Sequence, residues 1–160
     1  MSYERDVLLK MTDEELLNRC KTDHYIATGN GGQKRNKTSS AVRLTLKDTS
    51  ISATASEDRQ QSVNKKRALR KLRLAIAMEM RQEAQQWQGQ LDMNPKNAQY
   101  PLFIAALTDN LFDKNWQVSE VAKSMDLSTG KLIKIIAKDD TLWQFVNKER
   151  QKNDYKPLKK

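Results

Sequence analysis

The chain has 160 residues, with 29 Lys and Arg against 20 Asp and Glu, one His, one Cys and a formal net charge of +9. This length supports one hydrophobic core, or one core with a small satellite, rather than two full-sized domains. A single cysteine excludes an internal disulfide, and no run approaches the roughly 20 apolar residues that a membrane helix requires. We therefore expect a soluble, cytoplasmic protein with no membrane partner.

The positive charge is concentrated in the middle of the chain. Residues 21–90 hold fourteen basic and six acidic side chains, a net of +8, whereas residues 1–20 carry −2 and residues 91–160 carry +3. A polyanion with regularly spaced phosphates is the natural partner for such a segment, because each neutralised phosphate releases counterions. On charge alone, a nucleic-acid partner and an ordinary solvated surface explain this segment equally well.

Short elements are predicted before a glycine-rich segment. Thr12 and Glu15 have the spacing of a capping box, so we expect a helix from there to about Cys20. Residues 23–27 suit a short strand. Three glycines within the four positions 29–32 oppose regular structure, so a loop is predicted over residues 28–37.

A β-hairpin is predicted after the loop. Apolar Val42, Leu44 and Leu46 alternate with polar residues, and residues 51–55 repeat the pattern, which is typical of two half-buried strands. The polar residues 47–50 between them are few enough to form a hairpin turn, which would pair the strands antiparallel.

One long helix is predicted from about Glu57 to Trp87. No residue in this range breaks a helix, and apolar residues recur at offsets of three, four and seven, so an apolar stripe can cover the sheet. Leu74 and Met78 place apolar groups on the back of this helix. We expect a further element to pack there.

The C-terminal part is predicted to be helical. Residues 89–101 contain Gly, Asn and Pro and indicate a linker. A helical pattern follows from Leu102, and then a helix-turn-helix outline over residues 118–136. Only three lysines decorate that outline: Lys123, Lys131 and Lys134. Packing of the outline against Leu74 and Met78 is therefore favoured over DNA reading.

These patterns together predict an α+β fold. It consists of a small, mostly antiparallel sheet with a long crossing helix, followed by a helical C-terminal subdomain with a helix-turn-helix outline. The predicted organisation is a first domain over residues 1–88, a linker over 89–101, a helical subdomain over 102–145 and a basic tail over 146–160.

The chain offers few residues for acid–base or nucleophilic catalysis. His24 is the only imidazole, and no Gly-x-Ser-x-Gly elbow accompanies it. Cys20 and His24 are four residues apart, but two ligands are too few for a metal site, and strand or core roles are favoured for both. Asp139 and Asp140 are adjacent, so their carboxylates diverge and a solvated helix cap is favoured. No metal and no cofactor is predicted.

The glycine-rich loop is a better candidate. Its Gly-Gly-Gln tripeptide at positions 31–33 gives a backbone nearly free of Cβ atoms that can enter a crowded site, and Lys34, Arg35 and Lys37 supply cations for phosphates. The loop lacks the Gly-Lys-Ser/Thr of a P-loop and the spacing of a dinucleotide fingerprint, so nucleotide hydrolysis is not indicated. A flexible hairpin loop is the alternative explanation of the tripeptide alone.

The residues around the tripeptide carry a family resemblance. The matching segments keep their order and spacing over about residues 20–85: 28–33, 36–37, 40–45, 56–61 and 64–69. Together they resemble the peptidyl-tRNA hydrolysis (GGQ) domain of class I peptide chain release factors. The likeness is greatest to short bacterial release factor-like proteins that have this domain and little else. Asn30 stands where the family commonly has Pro or Ala.

The resemblance implies an enzyme that hydrolyses peptidyl-tRNA on the ribosome, with the loop entering the peptidyl transferase centre. Gly31 and Gly32 would let the loop adopt a conformation closed to residues with side chains. The backbone N–H of Gln33 would stabilise charge that develops on the ester, and its side chain would position water. We expect no codon reading, because 160 residues leave no room for a stop-codon-reading module.

The resemblance also implies contact and support residues. The RNA-binding set is Lys34, Arg35, Lys37, Arg43, Arg59, Lys65, Lys66 and Arg67. The loop-bracing set is Asn36, Gln61 and Asn64. The implied partners are peptidyl-tRNA and large-subunit ribosomal RNA, and we expect a monomer in solution. Two alternatives stay open: a non-catalytic ribosome- or RNA-binding module, and a release factor homologue that acts on damaged ribosomes in an RNA-repair setting.

Overall fold

The computed structural model describes residues 4–26 and 40–160. Over these residues the fold is α+β, as predicted, with one three-stranded antiparallel sheet and seven helices. The strands are β1 (Cys20–Tyr25), β2 (Ala41–Leu46) and β3 (Ser52–Ala55). The helices are α1 (Arg5–Lys10), α2 (Asp13–Leu17), α3 (Gln61–Glu79), α4 (Tyr100–Asp113), α5 (Val118–Ser124), α6 (Thr129–Ala137) and α7 (Asp140–Lys152).

The chain divides into two compact units, Met1–Glu79 and Met80–Lys160. The first unit contains the sheet with α1, α2 and α3, and the second contains α4 to α7. The domain boundaries predicted at residues 88, 101 and 145 stay predictions. Helix α7 runs through the last of them, and Val146, where the basic tail was predicted to begin, is fully buried.

The sheet is a meander in the order β1-β2-β3. The pairing of β2 with β3 confirms the predicted hairpin, whose turn holds Asp48 at φ 62°. The predicted helix start at residue 12 is also confirmed, because Thr12 and Glu15 form both hydrogen bonds of a capping box, but α2 ends at Leu17 rather than near Cys20. β1 was predicted at residues 23–27 but begins at Cys20, since its first residue pairs with Leu46.

Helix α3 covers one face of the sheet. Val42, Leu44 and Leu46 of β2 have no exposed surface, and Leu72 and Ile76 of α3 are equally buried. Fully burying a side chain of this size contributes roughly 2 kcal/mol, so these residues supply much of the stability of the first unit. The apolar stripe predicted on this helix therefore does cover the sheet, but only up to Glu79, where α3 ends.

The prediction of one helix from Glu57 to Trp87 is wrong at both ends. Helix α3 begins at Gln61 and ends at Glu79. Within the second unit, the backbone N–H of Gln82 donates to the carboxylate of Asp109 at 3.3 Å. In a continued helix that N–H would donate to the carbonyl of residue 78 instead.

Two further contacts hold the chain beyond α3 out of helical conformation. Arg81 pairs with the buried Asp109 at 3.0 Å and donates to the hydroxyl of Thr108 at 2.9 Å. The indole of Trp87 packs edge-on against Phe103, with ring centroids 5.6 Å apart. Tertiary contacts of this kind override local helix propensity.

The second unit contains the predicted helix-turn-helix. Helices α5 and α6 are joined by a turn in which Asp126 adopts φ 55° and Ser128 caps α6 by accepting the N–H of Lys131 at 3.1 Å. Val121 and Leu132, one on each helix, are fully buried. None of the helices among the described residues is both long and apolar enough to span a bilayer.

Candidate functional site

Two strand ends mark the position of the glycine-rich segment in the fold. β1 ends at Tyr25, β2 begins at Ala41, and these two residues are paired in antiparallel register. The segment therefore joins neighbouring positions at one end of the sheet. Seven predicted site residues lie outside the described residues: Gly31, Gly32, Gln33, Lys34, Arg35, Asn36 and Lys37.

Asn64 ties the start of β2 to the start of α3. Its side chain is fully buried, and its Nδ2 donates to the carbonyl of Ser40 at 2.8 Å and to the carbonyl of Asp58 at 2.9 Å. Its Oδ1 accepts the N–H of Asp58 at 3.0 Å. A buried polar group that loses its partner costs about 1–3 kcal/mol, so this amide strongly favours one arrangement of Ser40, Asp58 and the start of α3.

Several predicted residues lie close in sequence to this amide. Arg59 and Gln61 are exposed, follow Asp58 and stand at the start of α3, and Lys65 is half-buried beside Asn64. The hydrogen bonds of Asn64 hold the backbone on either side of these residues. Arg59, Gln61 and Lys65 are thus placed near the point at which the chain re-enters the sheet.

A row of exposed cations continues along α3. Lys66 and Arg67 are exposed, as is Arg70, which lies four residues after Lys66 and therefore on the same side of the helix. Within the described part of the chain, none of these three cations forms an ion pair. The predicted RNA-binding set did not include Arg70, although its spacing of four residues from Lys66 is visible in the sequence. We call Lys66, Arg67 and Arg70 the α3 cations.

Two other cations of α3 are structural. Lys71 donates to Glu57 at 2.9 Å and to the carbonyl of Thr54 at 3.1 Å. The hydrogen bond to Glu57 lowers the pKa of the Glu57 carboxyl. Arg73 donates to three acceptors around the junction of α1 and α2: the carbonyls of Leu9 and Met11 and the carboxylate of Asp13. Both side chains are thereby committed to holding the first unit together.

Arg43 lies on the other face of the sheet. Its neighbours Val42 and Leu44 are buried under α3, whereas Arg43 is exposed, as the alternation of a strand requires. Its guanidinium stacks on the ring of Tyr25, 5.0 Å from the centroid. The predicted RNA-binding residues therefore divide between two faces of the first unit. Tyr25 was missed because its contact with Arg43 depends on the strand register.

The residues considered for metal binding do not converge with a third ligand. Cys20 is buried, its thiol donates to the carbonyl of Leu16 at 3.3 Å, and burial raises the pKa of that thiol. His24 is an exposed residue of β1. Across residues 4–26 and 40–160, no group of three His, Cys, Asp or Glu side chains is placed to hold a metal ion.

One residue of the acidic pair, Asp139, caps the start of α7. Asp139 accepts the N–H groups of Thr141 and Leu142 at 3.0 and 3.2 Å. It also accepts the phenolic hydroxyl of Tyr100 at 2.8 Å, and burial beside this carboxylate raises the pKa of Tyr100. The cap is therefore half-buried rather than solvated, whereas Asp140 is exposed.

Comparison with known proteins gives one family. A protein-family model described as the RF-1 domain matches residues 12–100. The chain is 36% identical to peptide chain release factor 1 of Enterococcus faecalis over 98 residues, which are 61% of this chain and 26% of the relative. It is 38% identical to peptide chain release factor 1 of Bacillus cytotoxicus over 78 residues, 49% of this chain and 21% of the relative. The chain thus spans about a quarter or less of these relatives, and no solved structure matches it significantly.

Proposed function

Because the chain belongs to the RF-1 domain family, we propose that it hydrolyses the ester of peptidyl-tRNA on the ribosome without reading a stop codon. In this reaction water attacks the ester carbonyl, the bond to the tRNA ribose oxygen breaks, and that oxygen takes up a proton. The products are a free peptide and a deacylated tRNA. The protein would act in the cytoplasm, in translation termination or the rescue of stalled ribosomes.

The proposed chemistry depends on the main chain of the glycine-rich segment. The N–H of Gln33 would donate to the oxygen on which negative charge develops, and Gly31 and Gly32 would allow the backbone to approach the ester. Such a role requires no titrating side chain. The proposal therefore assigns no catalytic role to His24, which is exposed, or to Cys20, which is buried and whose raised pKa keeps it a thiol.

The observation that carries the proposal is the buried amide of Asn64. Catalysis by a positioned N–H requires a rigid structural support, because a misplacement of about 1 Å can reduce a rate by about 100-fold. The three hydrogen bonds of Asn64 supply such a support at Ser40, the first described residue after the glycine-rich segment. We assign Asn64, with Gln61 and Asn36, the role of bracing that segment.

The division of the cations between two faces supports RNA as the partner. Arg43 lies on one face of the sheet and Lys66 and Arg67 lie on the helix that covers the other. A ligand that contacts both faces must surround the first unit, and the RNA that lines a ribosomal cavity can do so. Arg59 and Lys65 would contact RNA between these faces, and Lys34, Arg35 and Lys37 would contact it beside the catalytic tripeptide.

Release of labelled peptide from stalled ribosomes tests the proposal. We expect wild type to release the peptide, Gly32→Ala to be at least 100-fold slower, and Gln33→Ala to be slower by a smaller factor, because alanine keeps the N–H. Gln151→Ala, an exposed glutamine of α7, is the matched control and should retain full activity. Equal activity in all four proteins would exclude the proposed site. Salt-sensitive ribosome binding without release in any stalled state would instead indicate a non-catalytic module.

A further inference from the structure

One side of α6, together with its C-terminal cap residue Lys138, presents three lysines to solvent. Lys131, Lys134 and Lys138 are exposed, and Lys134 and Lys138 follow Lys131 by three and seven positions, which places the three within about 60° of one another around the helix axis. Leu132 and Ile136, on the other side of α6, are fully buried. We call the three lysines the α6 lysine face.

An anion already occupies part of this face. The two carboxylate oxygens of Asp92 accept from the ammonium groups of Lys131, at 2.9 Å, and of Lys138. The hydrogen bonds from Lys138 and Lys131, in that order, lower the pKa of the Asp92 carboxyl. Two ammonium groups that converge on one carboxylate create a position suited to any oxyanion, including a phosphate.

The contact with Asp92 is of a kind that a stronger anion can displace. Residues 80–99 form neither helix nor strand, and the side chain of Asp92 is 36% exposed. Ion pairs at such exposed positions add little to stability, because water and salt screen them. Lys134 forms no ion pair within the described residues, so one lysine is available before Asp92 is displaced.

The composition of α6 favours phosphate contacts over base reading. Helix α6 is the second helix of the helix-turn-helix, the position that faces nucleic acid in proteins that bind through this motif. Its sequence contains no Arg, Asn or Gln, the side chains that make bidentate contacts to base edges. Lysine acts as a flexible point charge and suits phosphate oxygens of any sequence.

We propose that the α6 lysine face docks on the phosphate backbone of RNA, and that Asp92 is the internal anion that an RNA phosphate replaces. RNA is the polyanion that a ribosomal substrate supplies, so the choice of RNA rests on the proposed function. The family likeness is centred on the first unit, whereas this face belongs to the second. The proposal thus gives the second unit a task of its own.

A binding experiment with the full chain tests the proposal. Affinity for a 20-base-pair RNA duplex is measured between 50 and 300 mM salt for wild type, for a triple variant, Lys131→Gln, Lys134→Gln and Lys138→Gln, and for Asp92→Asn. The charge-matched control replaces three other exposed lysines of the second unit, Lys114, Lys148 and Lys156, by Gln. A DNA duplex of the same sequence is the second probe, and circular dichroism confirms that each variant is folded.

The expected result is specific to the lysine face. The triple variant should flatten the plot of log affinity against log salt by about 2, and the control triple should not. Asp92→Asn should bind about two- to fivefold more tightly at 50 mM salt, since two ammonium groups lose a weak competitor. An unchanged slope in the triple variant, weaker binding by Asp92→Asn, or a tenfold preference for DNA would each overturn the proposal.

The outcome is separable from that of the peptide-release test. Gln33→Ala should show the wild-type RNA affinity and salt slope, because residue 33 is outside the lysine face. Loss of peptide release with an intact lysine-face effect, or the reverse, would therefore show which of the two proposals fails.

Discussion

The two units each contain a side chain that bridges separate segments, and the two bridges differ in kind. Asn64 is neutral and fully buried, and it joins Ser40 to Asp58 through three hydrogen bonds. Asp92 is charged and partly exposed, and it joins Lys131 to Lys138. Salt and acid act on the second bridge and not on the first. The first therefore suits a permanent support, whereas the second suits a contact that is made and replaced.

The largest effect is expected from breaking the buried bridge. Asn64→Ala removes three hydrogen bonds and leaves the buried carbonyl of Ser40 and the partly buried carbonyl of Asp58 without this partner, so the free energy of unfolding should fall by about 3 kcal/mol. Urea unfolding measures the loss. Ser62→Ala, at an exposed position of the same helix, should change stability by less than about 0.5 kcal/mol. A loss below 1 kcal/mol in Asn64→Ala would show that this amide does not hold the backbone at Ser40 and Asp58 in place.

An intermediate effect is expected from the cations of α3. Replacement of Lys66, Arg67 and Arg70 by Gln should weaken ribosome binding about tenfold at 100 mM salt and leave stability unchanged, because none of the three side chains forms an ion pair within the described residues. Lys71→Gln should do the opposite. It loses the hydrogen bonds to Glu57 and Thr54, so stability should fall slightly while ribosome affinity stays within twofold. Equal losses of affinity in the two variants would contradict this division.

The smallest effect is a displacement of the Asp92 titration. Lys138 and Lys131 lower the pKa of this carboxyl, so their contribution to stability is fully present above the ordinary Asp pKa of about 3.9 and is lost as pH falls through the lowered value. Carboxyl chemical shifts recorded by NMR should give a midpoint below the ordinary value at low salt. In 1 M salt the midpoint should return toward it, because the ion pairs are screened. A midpoint that does not respond to salt would contradict an exposed, replaceable bridge.

Local patterns were sufficient for the elements that depend on their own residues. The alternation at Val42, Leu44 and Leu46 predicted a strand, and Thr12 with Glu15 predicted a capped helix start. The helix-turn-helix followed from apolar spacing on either side of a polar turn. Each of these signals lies within about twenty consecutive residues, so no distant contact was needed to interpret them.

Features that depend on distant partners could not be predicted in this way. Helix α3 ends early because Asp109, some thirty residues further on, accepts the N–H of Gln82. The stacking of Arg43 on Tyr25 follows from strand pairing, and the role of Asp92 follows from contacts with a helix about forty residues away. Sequence spacing identified these residues as polar or charged but not which partners they meet.

The most direct test of the central claim removes one hydrogen atom from the main chain. Gln33→Pro eliminates the backbone N–H at that position, whereas Gln33→Ala retains it, and Asn30→Pro introduces proline into the same segment at a position where the family commonly has it. Peptide release from stalled ribosomes should fall about 100- to 1,000-fold further in Gln33→Pro than in Gln33→Ala, the usual cost of losing one oxyanion donor, and Asn30→Pro should remain active. Equal release by Gln33→Pro and Gln33→Ala would contradict catalysis by the main-chain amide.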